Sequence, residues 1–421
     1  MIDLKELKER REEIAQNIAN RGMRVAIDEV IDLQEERSRL LKLSDSLRSR
    51  RNENASKMKG KLEPEVRSQL IQEGKELKEA ISAAESALKG VEGEYWRQAK
   101  MIPNYAHKDV PVGFSEAENR EIKTYGQPIP FGFTPQDHTV LGEELDLIDF
   151  DSATKVTGPK FYYLLNEAVY MELALERYAL DILKKHGFTP VITPDLAKEE
   201  ILEGIGFNPR GAESNIYSIA DTDMCLVGTA EITLGGYHAN SIIDQEALPI
   251  KFGGISHCFR REAGGAGQYS RGLYRVHQFS KVEMFVYTFP ENSDEMHAEL
   301  LAIEEEIYQG LDLPYRVVDT CSGDLGAPAY RKYDIEVWMP GRGDYGEVTS
   351  TSNCTDYQAR RLNIRYRDAD GSIRHPHLLN GTAIAVSRTI LAILENYQRE
   401  DGSIAMPKAL IPYLGFSEIR R

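Results

Sequence analysis

The stretch from Lys251 to Tyr287 constrains the fold of this chain more than any other, because two apolar-rich segments flank a loop of glycine and arginine. Side chains alternate between the two faces of an extended strand. That alternation predicts a hairpin with four functional side chains on one face: Arg260, Glu262, Phe279 and Glu283. An arginine fork suits a phosphate, an aromatic face suits a nucleobase, and a carboxylate suits an ammonium group. The alternative is an edge hairpin with a solvated charged face.

The whole string resembles motif 2 of class II aminoacyl-tRNA synthetases, and specifically that of seryl-tRNA synthetases of bacterial type. The family pattern is close to FRxEAGxxGxxxRGLxRxHQFxKVE. The chain matches it at Phe259, Arg260, Glu262, Ala263, Gly264, Gly267, Arg271, Gly272, Leu273, Arg275, His277, Gln278, Phe279, Lys281, Val282 and Glu283. It departs at Arg261, where many bacterial members carry Ser, and the alternation puts Arg261 on the back face. Lys281 shares the front face with Phe279 and Glu283.

Residues 1 to about 25 predict a short amphipathic helix, and a long arm follows from about 30 to 101. Apolar residues at three- and four-residue spacing run through two segments, starting at Val30 and at Leu70, with a break from Lys59 to Pro64. Two such helices joined by a short turn predict an antiparallel coiled coil. Helices of roughly 35 residues, at about 1.5 Å per residue, would make an arm of order 50 Å.

Basic residues cluster at the tip of this arm against one acid, Glu53. They are Arg48, Arg50, Arg51, Lys57, Lys59 and Lys61. The net charge of −16 argues against non-specific nucleic-acid binding by the whole surface, and DNA is not an expected partner. A local patch can still bind phosphates, although a solvated helix end is the alternative. The resemblance implies that residues 1–104 form a tRNA-binding domain whose arm reaches the long variable arm and elbow of the tRNA.

The resemblance divides the rest of the chain into a connector at 105–133 and a class II catalytic domain at 134–421. It implies an α+β fold in which helices flank an antiparallel sheet of six to seven strands. A helix from Leu164 to His186, followed by a strand ending at Pro194, is similar to motif 1 and implies a homodimer. The short remainder after Pro407 is expected to leave no room for a C-terminal anticodon-binding domain, as in the seryl subgroup.

Glu231 lies in an apolar run, and burying a carboxylate is costly unless another group pairs with it. A structural Arg or Lys partner is one reading of this residue. The string Thr229-Ala230-Glu231 also resembles the TxE loop that binds the amino acid in this family. The resemblance implies an L-serine site made of Thr229, Ala230, Glu231, Arg260, Glu283 and Thr382.

Glu347 belongs to a polar segment that is similar to the family pattern ExSSxSNCxDxQARR. Carboxylate and hydroxyl oxygens suit Mg²⁺ bound to nucleotide phosphates, and the resemblance implies that Glu347 and Ser350 hold ATP and the metal. Farther on, residues 379–398 predict a mostly buried helix that resembles motif 3. Its one basic residue, Arg388, needs an anion, either a core carboxylate or a nucleotide phosphate.

The resemblance implies an ATP-dependent enzyme that forms seryl-adenylate and diphosphate, then transfers the seryl group to the 3′ end of tRNA-Ser, with tRNA-Sec as a further acceptor. Arg260 and Arg388 are the expected catalytic residues. The implied ATP site comprises Arg260, Arg261, Glu262, Arg275, Val276, Phe279, Glu347, Val348, Thr349, Ser350 and Arg388. Two alternatives are a catalytically inactive RNA-binding paralogue, which the ATP residues oppose, and an amino acid:carrier-protein ligase, which the long arm opposes.

Four cysteines, Cys225, Cys258, Cys321 and Cys354, form no CxxC pair, which favours free thiols in a reducing cytosol over a zinc site or disulfides. The N-terminal residues are too charged for a signal peptide and too acidic for a transit peptide, and the chain has no run of eighteen apolar residues. The expected location is therefore the cytoplasm, without membrane contact.

Overall fold

A computed structural model describes residues 1–208, 215–262 and 272–421 of the chain. The chain forms two compact units, Met1–Pro103 and Asn104–Arg421. Among the described residues, no helix has the length and apolar character needed to cross a membrane. Four residues of the motif 2 match, Ala263, Gly264, Gly267 and Arg271, lie outside the described residues.

The first unit is helical. Its α-helices are α1 (Arg11–Asn20), α2 (Ile27–Lys57) and α3 (Pro64–Ala99). Helix α1 is shorter than predicted, since a separate 3₁₀ turn covers Leu4–Glu6. Proline suits the first position of α3, because that position needs no hydrogen-bonded N–H. The pairing of α2 with α3 confirms the predicted antiparallel arm.

The seam of the arm changes character along its length. Val30 and Leu40 of α2 and Leu77 and Ile81 of α3 are buried apolar residues, as the spacing predicts. Toward the tip the buried residues become polar, and the Asn54 amide donates a 2.8 Å hydrogen bond to a Glu73 carboxylate oxygen. Polar contacts therefore join the two helices near the tip, whereas buried apolar side chains join them along the stem.

The second unit combines helices with a large sheet. Its helices are α4 (His138–Glu144), α5 (Phe150–Thr157), α6 (Glu167–Lys185), α7 (Glu199–Ile205), α8 (Ala230–Gly236), α9 (Ser293–Gly310), α10 (Tyr357–Arg361), α11 (Val386–Asn396) and α12 (Ile411–Leu414). Its strands are β1 (Arg120–Tyr125), β2 (Ile148–Asp149), β3 (Tyr163–Leu164), β4 (Thr189–Ile192), β5 (Leu196–Lys198), β6 (Met224–Leu226), β7 (Ile242–Asp244), β8 (Ile250–Phe259), β9 (Gln278–Thr288), β10 (Tyr315–Asp319), β11 (Arg331–Met339), β12 (Asp344–Asn353), β13 (Arg365–Arg367), β14 (Ile373–Arg374), β15 (His377–Ala385), β16 (Ile404–Ala405) and β17 (Glu418–Ile419).

The main sheet has eight strands in the order β1-β10-β11-β12-β15-β9-β8-β4, rather than the six to seven predicted. Its pairs are antiparallel except that β4 runs parallel to β8. A parallel pair needs a crossover, and α7 and α8 lie between these two strands in the chain. Strand β1 comes from the predicted connector; its side chains are mostly exposed, so no apolar alternation marks it in the sequence.

The predicted helix at 379–398 is wrong in its first part. Residues up to Ala385 belong to strand β15, and the helix begins only at Val386. A short apolar run does not distinguish a buried strand from a buried helix. Gly381 of strand β15 packs closely against its neighbours. A Cβ at this position would lie 2.9 Å from a Glu304 carboxylate oxygen and 3.0 Å from the Thr351 hydroxyl.

The two faces of β9 point into two different cores. Val282, Met284 and Val286 join a core with α6, α9 and α11, whereas Phe285 and Tyr287 join a core with α7 and α8. This division agrees with the alternation predicted from the sequence. On the face of β9 that carries Phe285, the polar side chains of Lys281 and Glu283 line a cavity.

Candidate active site

A cavity with about 860 Å³ of empty space opens on the sheet of the second unit. This volume includes the solvent-filled mouth of the cavity. Most of the predicted site residues line it: Thr229, Glu231, Arg260, Glu262, Arg275, Val276, Phe279, Glu283, Glu347, Val348, Thr349, Ser350, Thr382 and Arg388. Ala230 is fully buried at the start of α8 and Arg261 is exposed, and neither is among the lining residues.

One end of the cavity holds Arg388 against a carboxylate and an aromatic ring. Its guanidinium lies 3.3 Å from the Glu347 carboxylate and 4.6 Å from the centre of the Tyr274 ring. It also donates to the backbone oxygens of Tyr274 at 3.2 Å and Glu347 at 2.9 Å. The Arg388 side chain is 16% exposed and the Glu347 side chain is 42% exposed, so this ion pair lies at the cavity wall, where the guanidinium can also meet a phosphate.

The wall beside Arg388 combines arginine with an aromatic plane. The Arg260 guanidinium lies 5.2 Å from the centre of the Phe279 ring, and its Nε donates to the Gly228 oxygen at 3.3 Å. Arg275 forms a longer ion pair with Glu262, at 3.6 Å. Glu262 lies three residues after the end of strand β8 and has a positive φ of 47°, in the left-handed region. Arginine forks and a flat ring thus face the same space, as the hairpin alternation predicts.

A hydrogen-bond network around His138 holds Gly272 and Leu273, the residues that precede this part of the cavity wall. The His138 ring bonds to the Glu395 carboxylate at 2.8 Å and accepts from the Leu273 backbone N–H at 3.1 Å. Gly272 packs against the same ring, since a Cβ would lie 2.4 Å from His138 Nε2. Helices α4 and α11 therefore anchor the chain immediately before Tyr274 and Arg275.

The other end of the cavity carries two carboxylates, the partly buried Glu231 and Glu283, which is 2% exposed. Glu231 accepts hydrogen bonds from the side-chain amides of Gln358 at 2.7 Å and Asn380 at 3.0 Å. Burial raises the pKa of Glu231 to about 7, and the nearby charge of Glu283 acts in the same direction. Among the described residues, amide donors rather than an Arg or Lys ion pair contact the Glu231 carboxylate, so its second oxygen remains available to a ligand.

Lys281 also lines this end of the cavity, and the sequence pattern assigned it no role. Its ammonium lies 2.5 Å from Glu283 and donates to the hydroxyls of Thr229 at 2.9 Å and Thr382 at 3.3 Å. The strand alternation places Lys281 on the same face as Phe279 and Glu283, and this position could have identified it as a cavity residue from the sequence. Gln358, Asn380 and Tyr274 carried no comparable signal, because their contacts join segments that are distant in the chain.

Glu347 and Ser350 offer oxygen donors that suit a hard cation such as Mg²⁺. Burial disfavours the charge of Glu347, but Arg388, Lys332 and Arg260 outweigh it and hold its pKa below the ordinary value. An ionised carboxylate beside a hydroxyl supplies few ligands, so phosphate and water oxygens would complete the coordination. Among the described residues, no group of three or more His, Cys, Asp or Glu side chains forms a self-sufficient metal site.

The basic tip of the arm differs from the cavity in that its charges are exposed to solvent. Arg48 pairs with Glu85 at 2.7 Å, and Arg50 lies 3.8 Å from Glu73. Four further basic residues are exposed, and no ion pair involves them in the described part of the chain: Arg51, Lys57, Lys59 and Lys61. These four residues are the better candidates for contacting phosphates.

Helix α6 and strand β4 expose an apolar surface. The exposed fraction is 60% for Tyr170, 58% for Leu173 and 83% for Ile192. Strand β4 is also the last strand of the main sheet, so one of its edges is unpaired in the described chain. Exposed apolar side chains next to an open strand edge are typical of an interface with another chain.

Comparisons with known proteins match both units. The seryl-tRNA synthetase N-terminal domain family matches residues 1–106, and the class II tRNA synthetase core domain (G, H, P, S and T) matches residues 217–397. A serine–tRNA ligase of Treponema denticola is 58% identical over 421 residues, which cover 100% of both chains. The crystal structure of seryl-tRNA synthetase from Pyrococcus horikoshii complexed with ATP is 42% identical, with a TM-score of 0.91 over 100% of this chain and 99% of that one. The cytoplasmic serine–tRNA ligase of Naegleria fowleri in complex with AMP is 34% identical, with a TM-score of 0.84 over 97% and 95%.

Proposed function

The chain belongs to the seryl-tRNA synthetase family, and on that premise we propose how its cavity carries out the ATP-dependent serine–tRNA ligase reaction. The reaction activates L-serine with ATP and charges tRNA-Ser. The observation that carries the assignment of roles is the cavity itself, in which arginines and an aromatic ring line one end and the carboxylates of Glu231 and Glu283 line the other. We extend the acceptor to tRNA-Sec, as the resemblance implies.

The carboxylate end is the serine site. Glu231 and Glu283 attract the substrate ammonium, because the charge of a carboxylate in a protein cavity is less screened than it is in water. Thr229 and Thr382 offer hydroxyls for the serine side chain. A site that hydrogen-bonds the substrate hydroxyl rejects alanine, because alanine would leave buried polar groups unpaired. Threonine is excluded by lack of room for its methyl group.

The arginine end holds ATP for the first step. Arg260 binds the α-phosphate and the substrate carboxylate, Phe279 stacks on adenine, and Glu262 contacts the adenine edge. Arg275 and Arg388 hold the outer phosphates. The serine carboxylate oxygen attacks the α-phosphorus, the bond to the bridging oxygen breaks, and diphosphate leaves. Positioning and neutralisation of charge carry this step, and no enzyme nucleophile is needed.

In the second step, the 3′-hydroxyl oxygen of the terminal adenosine attacks the carbonyl carbon of seryl-adenylate. The hydroxyl proton passes to the phosphate, the bond from that carbon to the phosphate oxygen breaks, and AMP leaves while the ester to tRNA forms. Arg260 remains beside the α-phosphate and stabilises the negative charge of the leaving AMP. The carboxylates hold the seryl ammonium throughout, which keeps the reactive carbonyl in one place.

Glu347 and Ser350 would hold Mg²⁺, which neutralises charge on the nucleotide phosphates when bound. The lowered pKa of Glu347 supports this role, because an ionised carboxylate is the form that binds a cation. The ion pair between Glu347 and Arg388 keeps the carboxylate near the phosphate site. Val348 and Thr349 follow Glu347 on strand β12, and both line the cavity where the nucleotide would lie.

We assign tRNA binding to residues 1–104, with the arm at about 30–101 and its basic tip as the surface that contacts the RNA backbone. The connector at 105–133 and the catalytic domain at 134–421 complete the chain. The exposed basic residues at the tip support this assignment, because contacts with phosphates need cations that reach solvent. Four buried free cysteines, Cys225, Cys258, Cys321 and Cys354, support a location in the reducing cytoplasm.

We further propose a homodimer through helix α6 and strand β4. Leu173→Asp should place a charge on the exposed apolar surface and shift the protein to monomer, as measured by sedimentation equilibrium. Val112→Asp changes a residue of the same unit that is 63% exposed, and it should leave the oligomeric state unchanged. An unchanged assembly in the Leu173 variant would place the interface elsewhere.

The experiment that tests the function is ATP–diphosphate exchange with serine, threonine, alanine and glycine, each with and without tRNA. We expect exchange with serine alone, and no requirement for tRNA, because the residues of the proposed serine and ATP sites line one cavity. Exchange with no amino acid would favour the catalytically inactive paralogue. Transfer of an amino acid to a carrier protein instead of tRNA would favour the carrier-protein ligase.

A further inference from the structure

Lys281 is a buried cation at the centre of the serine end of the cavity. It is 5% exposed, and Glu283, to which it is ion-paired, is 2% exposed. A lysine ammonium has three N–H donors. Its three partners are the Glu283 carboxylate and the hydroxyls of Thr229 and Thr382, so every donor is used within the protein. All three partners belong to the proposed serine site.

This arrangement decides which way the Thr229 hydroxyl can bond. Its oxygen accepts from the Lys281 ammonium at 2.9 Å and from the backbone N–H of Glu231 at 3.2 Å. A hydroxyl has two lone pairs and one proton, so these two bonds use its acceptor capacity. The Thr229 hydroxyl can therefore only donate, and a ligand must present an oxygen acceptor to it. An ammonium, which has no acceptor, cannot be its partner.

The opposite polarity holds for the other two partners. The Thr382 hydroxyl accepts from Lys281 and donates to Glu283 Oε2 at 3.4 Å, which leaves it one free lone pair. Glu283 Oε2 accepts from Lys281 and from Thr382, so Oε1 is the oxygen left for a ligand. Both residues thus face the cavity as acceptors for the N–H and O–H groups of a ligand.

We propose that Lys281 is a positioning residue that sets the hydrogen-bond polarity of this site, with Thr229 as donor and Glu283 and Thr382 as acceptors. The ligand that fits is a small amino acid with an ammonium, a hydroxyl that can donate and accept, and a carboxylate. The inference rests on the proposed function and deepens it. Lys281 acts through the residues that contact the substrate and forms no bond with the reacting atoms.

A double-mutant cycle between Lys281 and Thr229 tests the inference. In the wild-type background, Thr229→Val removes a directed donor and should raise the KM for serine about 10-fold, with little change in the KM for ATP. In a Lys281→Met background the Thr229 hydroxyl can bond either way, and the same substitution should raise the KM less than about 3-fold. Lys281→Met alone should raise the KM for serine roughly 10- to 100-fold.

Lys251→Met is the matched control, because Lys251 lies on strand β8 of the same sheet and pairs with Glu299 at 2.7 Å outside the cavity. It should leave both KM values within about 2-fold of wild type. If Lys281→Met does not fold because Glu283 is left as an uncompensated charge, the Lys281→Met/Glu283→Gln double variant provides the background for the cycle.

Three results would overturn the inference. Equal effects of Thr229→Val in both backgrounds would show that Lys281 does not set the polarity of the hydroxyl. A parallel rise in the KM for serine and ATP together with a lower Tm would show a merely structural lysine. A KM for serine within 2-fold of wild type in Lys281→Met would show no role. Wild-type protein without serine-dependent exchange would instead refute the proposed function.

Discussion

The arm and the cavity use charge in opposite ways. On the arm, Arg39 pairs with Glu36 within α2 and Arg97 pairs with Glu94 within α3, with at least 40% of each side chain exposed. In the cavity, the side chains of Lys281 and Glu283 are 6% and 2% exposed. Water screens the first kind of pair and barely reaches the second. Charges on the arm are therefore individually replaceable, whereas each charge in the cavity depends on its neighbours.

The comparison also separates two kinds of function. An exposed basic patch attracts a polyanion through the sum of its charges, and no single geometry is required. A buried set of charges recognises a small molecule through fixed positions, because an unpaired partner is costly. Substitutions should accordingly have large and specific effects in the cavity, and graded effects at the tip of the arm.

The largest effect is expected from Arg260→Ala. Removing this guanidinium takes away the proposed contact with the α-phosphate and should lower serine-dependent exchange by about 100- to 1000-fold. Binding of tRNA should be unaffected. Arg399→Ala, which removes a surface arginine paired with Glu418 at 2.8 Å, is the control and should leave exchange near wild type. Near-normal exchange in the Arg260 variant would remove this residue from the mechanism.

The next effect is a pH dependence of serine binding. The pKa of Glu231 is about 7 because the group is buried, so its carboxylate gains charge as the pH rises through that value. An ionised carboxylate attracts the ammonium, so the KM for serine should fall as the pH rises from about 6 to 8. Glu283, Lys281 and Arg260 also act on this group.

In Glu231→Gln this pH dependence should disappear, and the KM for serine should rise roughly 10- to 100-fold at pH 8. The change of one oxygen to an amide keeps the shape of the side chain, so the KM for ATP measures any wider disturbance. A KM profile with the same slope in both proteins would assign the titration to another group.

A smaller and graded effect is expected at the tip of the arm. Changing Arg51, Lys57 and Lys59 together to Gln should weaken tRNA binding about 10-fold or more. It should also reduce the slope of the logarithm of the binding constant against the logarithm of the salt concentration by about 2 to 3. Diphosphate exchange should be intact. Changing three exposed lysines of the stem, Lys42, Lys78 and Lys89, removes the same charge and should matter less. Equal losses in both triple variants would indicate a general field effect instead of a local patch.

The smallest effect is expected from the stem ion pairs. Arg39→Ala breaks a pair whose members are 62% and 41% exposed, and it should change Tm by about 1 °C or less. Exchange and tRNA binding should both remain at the wild-type level. A large loss of stability would mean that exposed pairs hold the arm together, which would remove the contrast with the cavity.

The prediction from sequence succeeded where one segment carries its own signal. The apolar spacing of Val30, Leu40, Leu77 and Ile81 predicted the arm, because a helix repeats its faces at a fixed interval. The alternation along β9 likewise predicted which residues share the cavity face. The prediction failed at β1, whose exposed residues give no pattern, and at the boundary between β15 and α11, where one apolar run contains both elements.

The sequence by itself therefore determined the family of the chain and the residue types expected in the site. It also indicated which strands or helices carry most of these residues. Only the tertiary structure decided how they bond: that Asn380 and Gln358 donate to Glu231, that Arg388 pairs with Glu347, and that Lys281 donates to the Thr229 hydroxyl. Local periodicity depends on neighbours a few residues away, so it can be read from the chain. Hydrogen-bond partners in a buried site come from distant segments, and only the completed sheet brings them within reach of one another.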